Sequence, residues 1–313
     1  MNLSIVIPVL NGEKYINECI DCINNLEKND DIVNVIVVDN GSTDSTIEIL
    51  VNKNIEQIVR KGVTISALRN IGARMTDNEY IAFVDSDCYV DKMWLKNLKK
   101  AFINDDCGVV GRYYCMSSTD STWVEKLWCL RRSDISGSVK FLPGGNMVFR
   151  RSVFDLVGGF DEELITGEDY DICSRVISNG YSIVNYPGVD VVHMGNYKRL
   201  KDIIVKERWY GKGMMSSCRR PSKPLIASIA FLLCILMFVF FLLFNYNLLF
   251  IPIICLIAVV VLVSVSFSSF IKYNKFVFIV KMMPISLCYL LGRCLSLFDH
   301  FYYTVKASCT EGK

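Results

Sequence analysis

"YIAFVDSDCYV", residues 80 to 90, opens as an apolar run and breaks at two carboxylates one residue apart, Asp85 and Asp87. A short run rich in β-branched and aromatic residues reads as a buried strand. Two like charges at its end repel each other, so the fold must supply a compensating charge. Comparable runs, "LSIVIPV" (3–9) and "VNVIVV" (33–38), come earlier in the chain, separated by segments of helical period. That alternation predicts an α/β fold of βαβ units around a mostly parallel sheet with flanking helices.

The chain has 313 residues, 52% of them apolar, enough for at least one sizeable core. Its mean hydropathy of +0.33 is high for a wholly water-soluble protein and places part of the chain in lipid. A formal charge of +2, from 34 Lys+Arg against 32 Asp+Glu, gives no overall basic field, so nucleic acid is not an expected partner. The 13 cysteines are an odd number and scattered, which favours a reducing compartment. The single CxxC, Cys19 to Cys22, falls on a helical pattern with Ile16, Ile20 and Ile23 and reads as core packing. The first apolar run lacks a basic leader and stops at Pro8, so the N-terminal domain is expected in the cytoplasm.

Composition changes near residue 224. Uncharged runs at 225–244 and 248–271, separated by "NYN" (245–247), are each long enough to span ~30 Å of hydrocarbon as a helix. They predict a transmembrane hairpin. Residues 198–224 form a basic juxtamembrane linker, and with Lys272, Lys275 and Lys281 on the return they place the linker in the cytoplasm and the hairpin turn outside. Such a cluster attracts anionic membrane lipids. Residues 272–313 hold a further apolar segment, 276–298, interrupted by Lys281, Pro284 and Arg293; it reads as interfacial or re-entrant, with a third span as the alternative. The expected organisation is therefore a cytoplasmic domain over 1–197, the linker, two membrane helices and this last segment, a multi-pass protein of the cell membrane.

In open α/β sheets, ligands bind beyond the carboxyl ends of the strands, and this chain puts its polar residues there. Asp39 ends the second run and is followed by "NGSTDST" (40–46), with Ser45 and Glu48 spaced as a capping box. Asp85 and Asp87 follow the "YIAFV" run, and sharing a hard divalent cation would lower their joint cost. "TGEDYDICSRVISNG" (166–180) has helical period, with Glu168 and Asp169 in its first turn; dipole stabilisation alone would account for acids there. Neither a GxxxxGK[ST] loop nor a GxGxxG after a strand is present.

Seven segments in order carry a resemblance to the family-2 inverting glycosyltransferases of GT-A fold: "SIVIPVLNGEKYI", "VIVVDNGSTDST", "ALRNIGA", "IAFVDSDCYV", "LPGGNMVFRRSVFDLVGGFDEEL", "GEDYDICSRV" and "VVHMGN", within residues 3 to 197. The resemblance implies a nucleotide-sugar donor lying across the strand ends. Pro8, Val9, Asn11 and Glu13 would line the nucleoside pocket. Asp39 would accept a hydrogen bond from the ring N–H of uracil or thymine, and Arg69 would neutralise diphosphate or orient the Asp39 loop. Asp85 would lie near ribose and metal, Asp87 would ligate Mg²⁺ or Mn²⁺, and His193 would approach the metal or leaving group. Gly144 and Gly145 would let the backbone come close to the sugar. Asp169 matches the catalytic base, with its neighbour Glu168 as the rival. Two positions depart from the family pattern: Leu10 stands where a stacking Tyr is common, and Val205 in "VKERW" replaces the Gln of processive synthases, which favours single addition. The expectation is transfer of one sugar from a UDP- or dTDP-sugar to a lipid-linked glycan acceptor. Polyprenyl phosphate as the acceptor, or an inactive sugar-nucleotide-binding scaffold, are the alternatives.

Overall fold

The computed structural model describes residues 1–117, 121–130, 135–216, 223–243, 250–268 and 276–311. The chain divides into two compact units, one of residues 1–121 and 132–196 and one of 122–131 and 197–313.

Among the described residues the first unit contains ten strands: β1 (Asn2–Val9), β2 (Ile32–Asp39), β3 (Glu56–Val59), β4 (Tyr80–Val84), β5 (Cys88–Val90), β6 (Cys107–Gly111), β7 (Gly137–Ser138), β8 (Asn146–Arg150), β9 (Ser182–Asn185) and β10 (Val191–His193). Eight of them form one sheet in the order β3-β2-β1-β4-β8-β6-β9-β7, while β10 pairs with β5. The β1–β2, β1–β4, β2–β3 and β6–β9 ladders are parallel; β4–β8, β6–β8 and β7–β9 are antiparallel. The sheet is thus mixed: β8 runs opposite to its neighbours β4 and β6, and the edge strand β7 runs opposite to β9.

From Ile5 to Val9, β1 is a continuous apolar run because both sheet faces are covered. Leu3, Ile5, Ile7 and Val9 enter one core with Ala82 and Val84 of β4, while Val6 enters the other with Ile81 and Phe83. Strand pleating sends alternate residues to opposite faces, so each must be apolar. Helices α1 (Ile16–Asn24), α2 (Thr46–Asn52), α3 (Ile65–Arg74), α4 (Trp94–Ala101), α6 (Arg151–Leu156) and α7 (Glu168–Ser178) supply much of the covering apolar surface. Ile16, Cys19, Ile20 and Ile23 of α1 are all buried, and Cys19 and Cys22 carry free thiols. The expected Ser45–Glu48 box does not form, since the Ser45 side chain caps nothing. A side-chain cap forms instead at α3, where Thr64 Oγ1 accepts from the Ala67 amide at 3.2 Å.

Register brings the site together. Val9 pairs with Asp39, Val6 with Phe83, and Val84 with Asn146. The loops after β1, β2 and β4 and the Gly144–Gly145 turn before β8 therefore share one edge of the sheet.

The second unit is helical: α5 (Trp123–Leu130), α8 (Leu200–Ser216), α9 (Lys223–Leu243), α10 (Phe250–Ser268) and α11 (Phe276–Glu311). α5 comes from the poorly patterned stretch 112–140 and belongs with these helices rather than with the sheet. Among the described residues, Leu225–Leu243 and Phe278–Phe301 are long and apolar enough, by length and composition, to cross a membrane. α10 covers most of the expected second run. The "NYN" turn, Arg219, Arg220, Lys272 and Lys275, which carried part of the orientation argument, lie outside the described residues. Segment 276–298 is part of one uninterrupted helix that continues through Pro284.

Candidate active site

The loops after β1 and β2 hold each other. Asn11 adopts φ 51°, a left-handed conformation that Asn tolerates, and its Oδ1 accepts from the Thr43 amide at 2.9 Å while its own amide donates to Ser42 Oγ at 2.8 Å. Glu13 Oε2 accepts from the Ser45 amide at 3.0 Å, and the Gly12 amide donates to Thr46 Oγ1 at 2.8 Å. Pro8 and Val9 end β1 beneath this clamp, and Leu10 is exposed at its tip. Asp39 is fully buried. Its Oδ1 accepts from the Gly41 and Ser42 amides, both at 2.7 Å, and its Oδ2 from Ser42 Oγ at 2.5 Å. The carboxylate organises its own loop and presents no surface to a base.

The Arg69 side chain, on α3, is 2% exposed and holds two acids from distant parts of the chain: Nη2 reaches Asp85 Oδ1 at 2.8 Å and Nη1 reaches Glu168 Oε1 at 2.8 Å. Its guanidinium lies over the Phe160 ring at 5.3 Å. This is the compensating charge that the Asp85–Asp87 pair requires, supplied in part by the chain itself. Arg69 thus serves Asp85, not the Asp39 loop. A Cβ on Gly144 would stand 2.7 Å from the guanidinium, and one on Gly145 would stand 2.3 Å from Asp85 Oδ2. Both glycines are required by close approach.

Asp87 Oδ2 lies 3.4 Å from His193 Nε2, and His193 Nδ1 is 3.1 Å from Asn196 Oδ1. Burial disfavours the charged ring, but the Asp87 carboxylate outweighs it and holds His193 above its ordinary value. The β5–β10 ladder, which pairs His193 with Cys88, brings the histidine to the acidic turn. One donor atom each from Asp85, Asp87, Cys88 and His193 fall within 4.8 Å of one another. Cys88 is buried, and that burial together with the two carboxylates pushes its thiol well up, so it stays protonated. Two carboxylates and an imidazole remain, a donor set that suits Mg²⁺ or Mn²⁺.

Two further residues complete this centre: Tyr114, which lies in none of the quoted motifs, and Asn196, which closes "VVHMGN" but was assigned no role. Tyr114 Oη accepts from the Gly145 amide at 2.9 Å and donates to Asp85 Oδ2 at 3.2 Å, and its ring stacks on His193 at 4.3 Å and 13°. Asn196 holds His193 and also donates to the Cys115 carbonyl at 3.2 Å. The signal for Tyr114 is not local: Cys115 bridges to Val192, 77 positions later.

Asp169 and Glu168 separate clearly. Glu168 is buried and committed to Arg69, whereas Asp169 is half-buried and its Oδ1 accepts from the Tyr170 amide at 2.8 Å. Burial, then the neighbouring Glu168 charge, push the Asp169 carboxyl up to about 7. A carboxylate tuned near neutrality can accept a proton at working pH.

Residues 4–158 match the model of glycosyl transferase family 2. The chain carries a family-2 glycosyltransferase domain. Residues 130–202 of this chain also match a model described as the N-terminal domain of galactosyltransferase. Over 250 residues the chain is 28% identical to the pre-mycofactocin glycosyltransferase of Mycobacterium tuberculosis (strain CDC 1551 / Oshkosh), a match covering 72% of this chain and 50% of that one. The chain thus spans about half the length of that curated relative. Glycosyltransferase AglE of Haloferax volcanii is 25% identical over 223 residues, covering 68% of this chain and 73% of the relative. Among solved structures, the mannosyltransferase PcManGT of Pyrobaculum calidifontis, in complex with GDP-Man and Mn²⁺, superposes with a TM-score of 0.62 at 15% identity, covering 95% of this chain and 87% of that one. That likeness establishes the GT-A fold.

Proposed function

We propose that this protein transfers one sugar, with inversion at the anomeric carbon, from a nucleoside-diphosphate sugar to a membrane-associated acceptor. The observation that carries the reading is the convergence of Asp85, Asp87 and His193 donor atoms within 4.8 Å, with Arg69 linking Asp85 to the turn that bears Asp169. A divalent cation bound there would neutralise charge on the departing diphosphate. The Mn²⁺ bound by PcManGT, a protein of the same fold, supports that assignment.

Asp85 and Asp87, steadied by Tyr114 and His193, would bind the donor's diphosphate through the cation. Gly144 and Gly145 leave room for the sugar beside them. Asp169 would take the proton of the acceptor hydroxyl as its oxygen bonds to the anomeric carbon; the bond from that carbon to the phosphate oxygen breaks, and its electron pair leaves with the nucleoside diphosphate. Attack on the face opposite the leaving group inverts the centre. The expected preference for uracil or thymine rested on Asp39, whose carboxylate is fully buried, so the proposed donor class is a nucleoside-diphosphate sugar without a fixed base. The apolar helices of the second unit support an acceptor held at the membrane, such as a lipid-linked glycan.

Purified protein in lipid, screened with UDP-, GDP- and dTDP-sugars and Mn²⁺ or Mg²⁺, should release nucleoside diphosphate. EDTA and Asp87→Ala should each abolish release. Metal-independent release, or none with any donor, overturns the reading. Activity surviving Asp169→Asn would point to an acceptor that is already anionic, such as polyprenyl phosphate.

A further inference from the structure

α8 and α11 are locked side by side in the second unit by paired charges and by glycines. Glu207 is 3% exposed and accepts from Tyr197 Oη at 2.8 Å and from Arg293 Nε and Nη2 at 2.8 and 2.7 Å. The next residue on α8, Arg208, forks onto Asp299 at 2.7 and 2.6 Å. A Cβ on Gly292 would stand 2.7 Å from the Ile204 carbonyl oxygen, and one on Gly211 would stand 2.4 Å from Ser296. The stretch 292–299 of α11 therefore lies at the same level as 204–211 of α8.

α8 is not a membrane-crossing helix. Residues 198–212 hold six Lys/Arg against two acids, and Lys201, Val205, Arg208, Trp209, Tyr210 and Lys212 are exposed along it. The Lys212 ammonium lies 4.8 Å over the Trp209 ring. Aromatic rings beside cations match the headgroup level of a bilayer, and the excess positive charge matches anionic lipid. If α11 crossed the membrane along 278–301, α8 and its cations would be drawn into hydrocarbon with it. The part of that stretch before Gly292 is 14 residues, about 21 Å of helix against ~30 Å of hydrocarbon.

We propose that α8 and α11 form a platform at headgroup level, that the Trp209–Tyr210–Lys212 side of α8 binds the anionic surface of the bilayer, and that α11 does not cross it. The proposal rests on the membrane reading of α9 and α10, and the test separates the two. Reporter fusions to the full chain, after Tyr246 and after Lys313, use alkaline phosphatase, active only outside the cytoplasm, and green fluorescent protein, fluorescent only within it. The expected result is phosphatase activity at Tyr246 and fluorescence at Lys313. Phosphatase activity at both positions means that α11 crosses, which overturns the platform alone; phosphatase inactivity at Tyr246 overturns the hairpin and the platform with it. In phosphatidylcholine–phosphatidylglycerol vesicles, the fluorescence lost in Trp209→Phe should be quenched by lipids brominated near the headgroup and not by lipids brominated near the acyl terminus. Equal quenching by both, or none by either, overturns the assignment of the α8 face.

Discussion

Replacing Arg69 with Gln tests the geometry at its centre. The guanidinium is nearly inaccessible and forms the ion pairs to Asp85 Oδ1 and Glu168 Oε1, each at 2.8 Å. Gln removes the charge and cannot span both acids, so two carboxylates lose their counter-ion in a poorly solvated place. Removing one partner of a buried ion pair typically costs about 3–5 kcal/mol, because the remaining charge stays desolvated. For a unit of this size, each kcal/mol lowers the melting temperature by roughly 2–4 °C, so Arg69→Gln should melt on the order of 10 °C lower. Adding Asp85→Asn and Glu168→Gln removes the stranded charges, so the triple variant should regain most of the lost stability while staying inactive. Thermal unfolding followed by near-UV circular dichroism in detergent measures both. A melting temperature for Arg69→Gln within about 2 °C of wild type, or a triple variant no more stable than the single, would refute the counter-ion role.

Gly145→Ala would place a methyl group 2.3 Å from Asp85 Oδ2 and 2.5 Å from Tyr114 Oη; relieving that overlap moves the carboxylate by ~1 Å, which should cost about 100-fold in kcat, read by nucleoside-diphosphate release. Tyr114→Phe keeps the ring on His193 but strips the hydroxyl from Asp85 and the Gly145 amide; it should raise the donor KM more than it lowers kcat, whereas Tyr114→Leu should also weaken Mn²⁺ binding measured by electron paramagnetic resonance. Because Asp169 must be ionised to accept a proton and its carboxyl is raised to about 7, log kcat/KM should climb with unit slope below about pH 7 and level off above it. Glu168→Gln removes a neighbouring negative charge, so in whatever activity it retains that limb should move to lower pH. The raised carboxyl is a stability cost once the pH exceeds its unfolded value, so Asp169→Asn should melt higher than wild type at pH 8 and no higher at pH 4. An Asp169→Asn protein that melts lower at pH 8 would count against the burial argument.

What the sequence made legible are the features with a local physical cause. β1 and β4 stood out because strands covered on both faces are almost wholly apolar, and Asp39, Asp85 and Asp169 stood out because each ends or follows a strand or opens a helix. What it concealed are pairings. β8 carries no mark of its direction, which depends on the chain's return beside β4 through Val84 and Asn146. Glu168 and Asp169 are adjacent acids of the same first turn, and only Arg69, 99 positions earlier, divides them into a bound counter-ion and a carboxylate left to titrate near neutrality. Asp39 was correctly placed at the strand end, yet its oxygens are engaged by the Gly41 and Ser42 amides and the Ser42 hydroxyl, donors that any small-residue loop could offer. α11 is the plainest case. Arg293 reads as an interruption of a possible span, and its meaning is fixed by Glu207, 86 positions away, just as Asp299 beyond that segment is held by Arg208, 91 positions away. A charge inside an apolar run is costly in lipid, and less so when a partner neutralises it; in the proposed platform the partners lie on a cationic helix held at the interface, so pairing, and not hydropathy, would set the depth of α11.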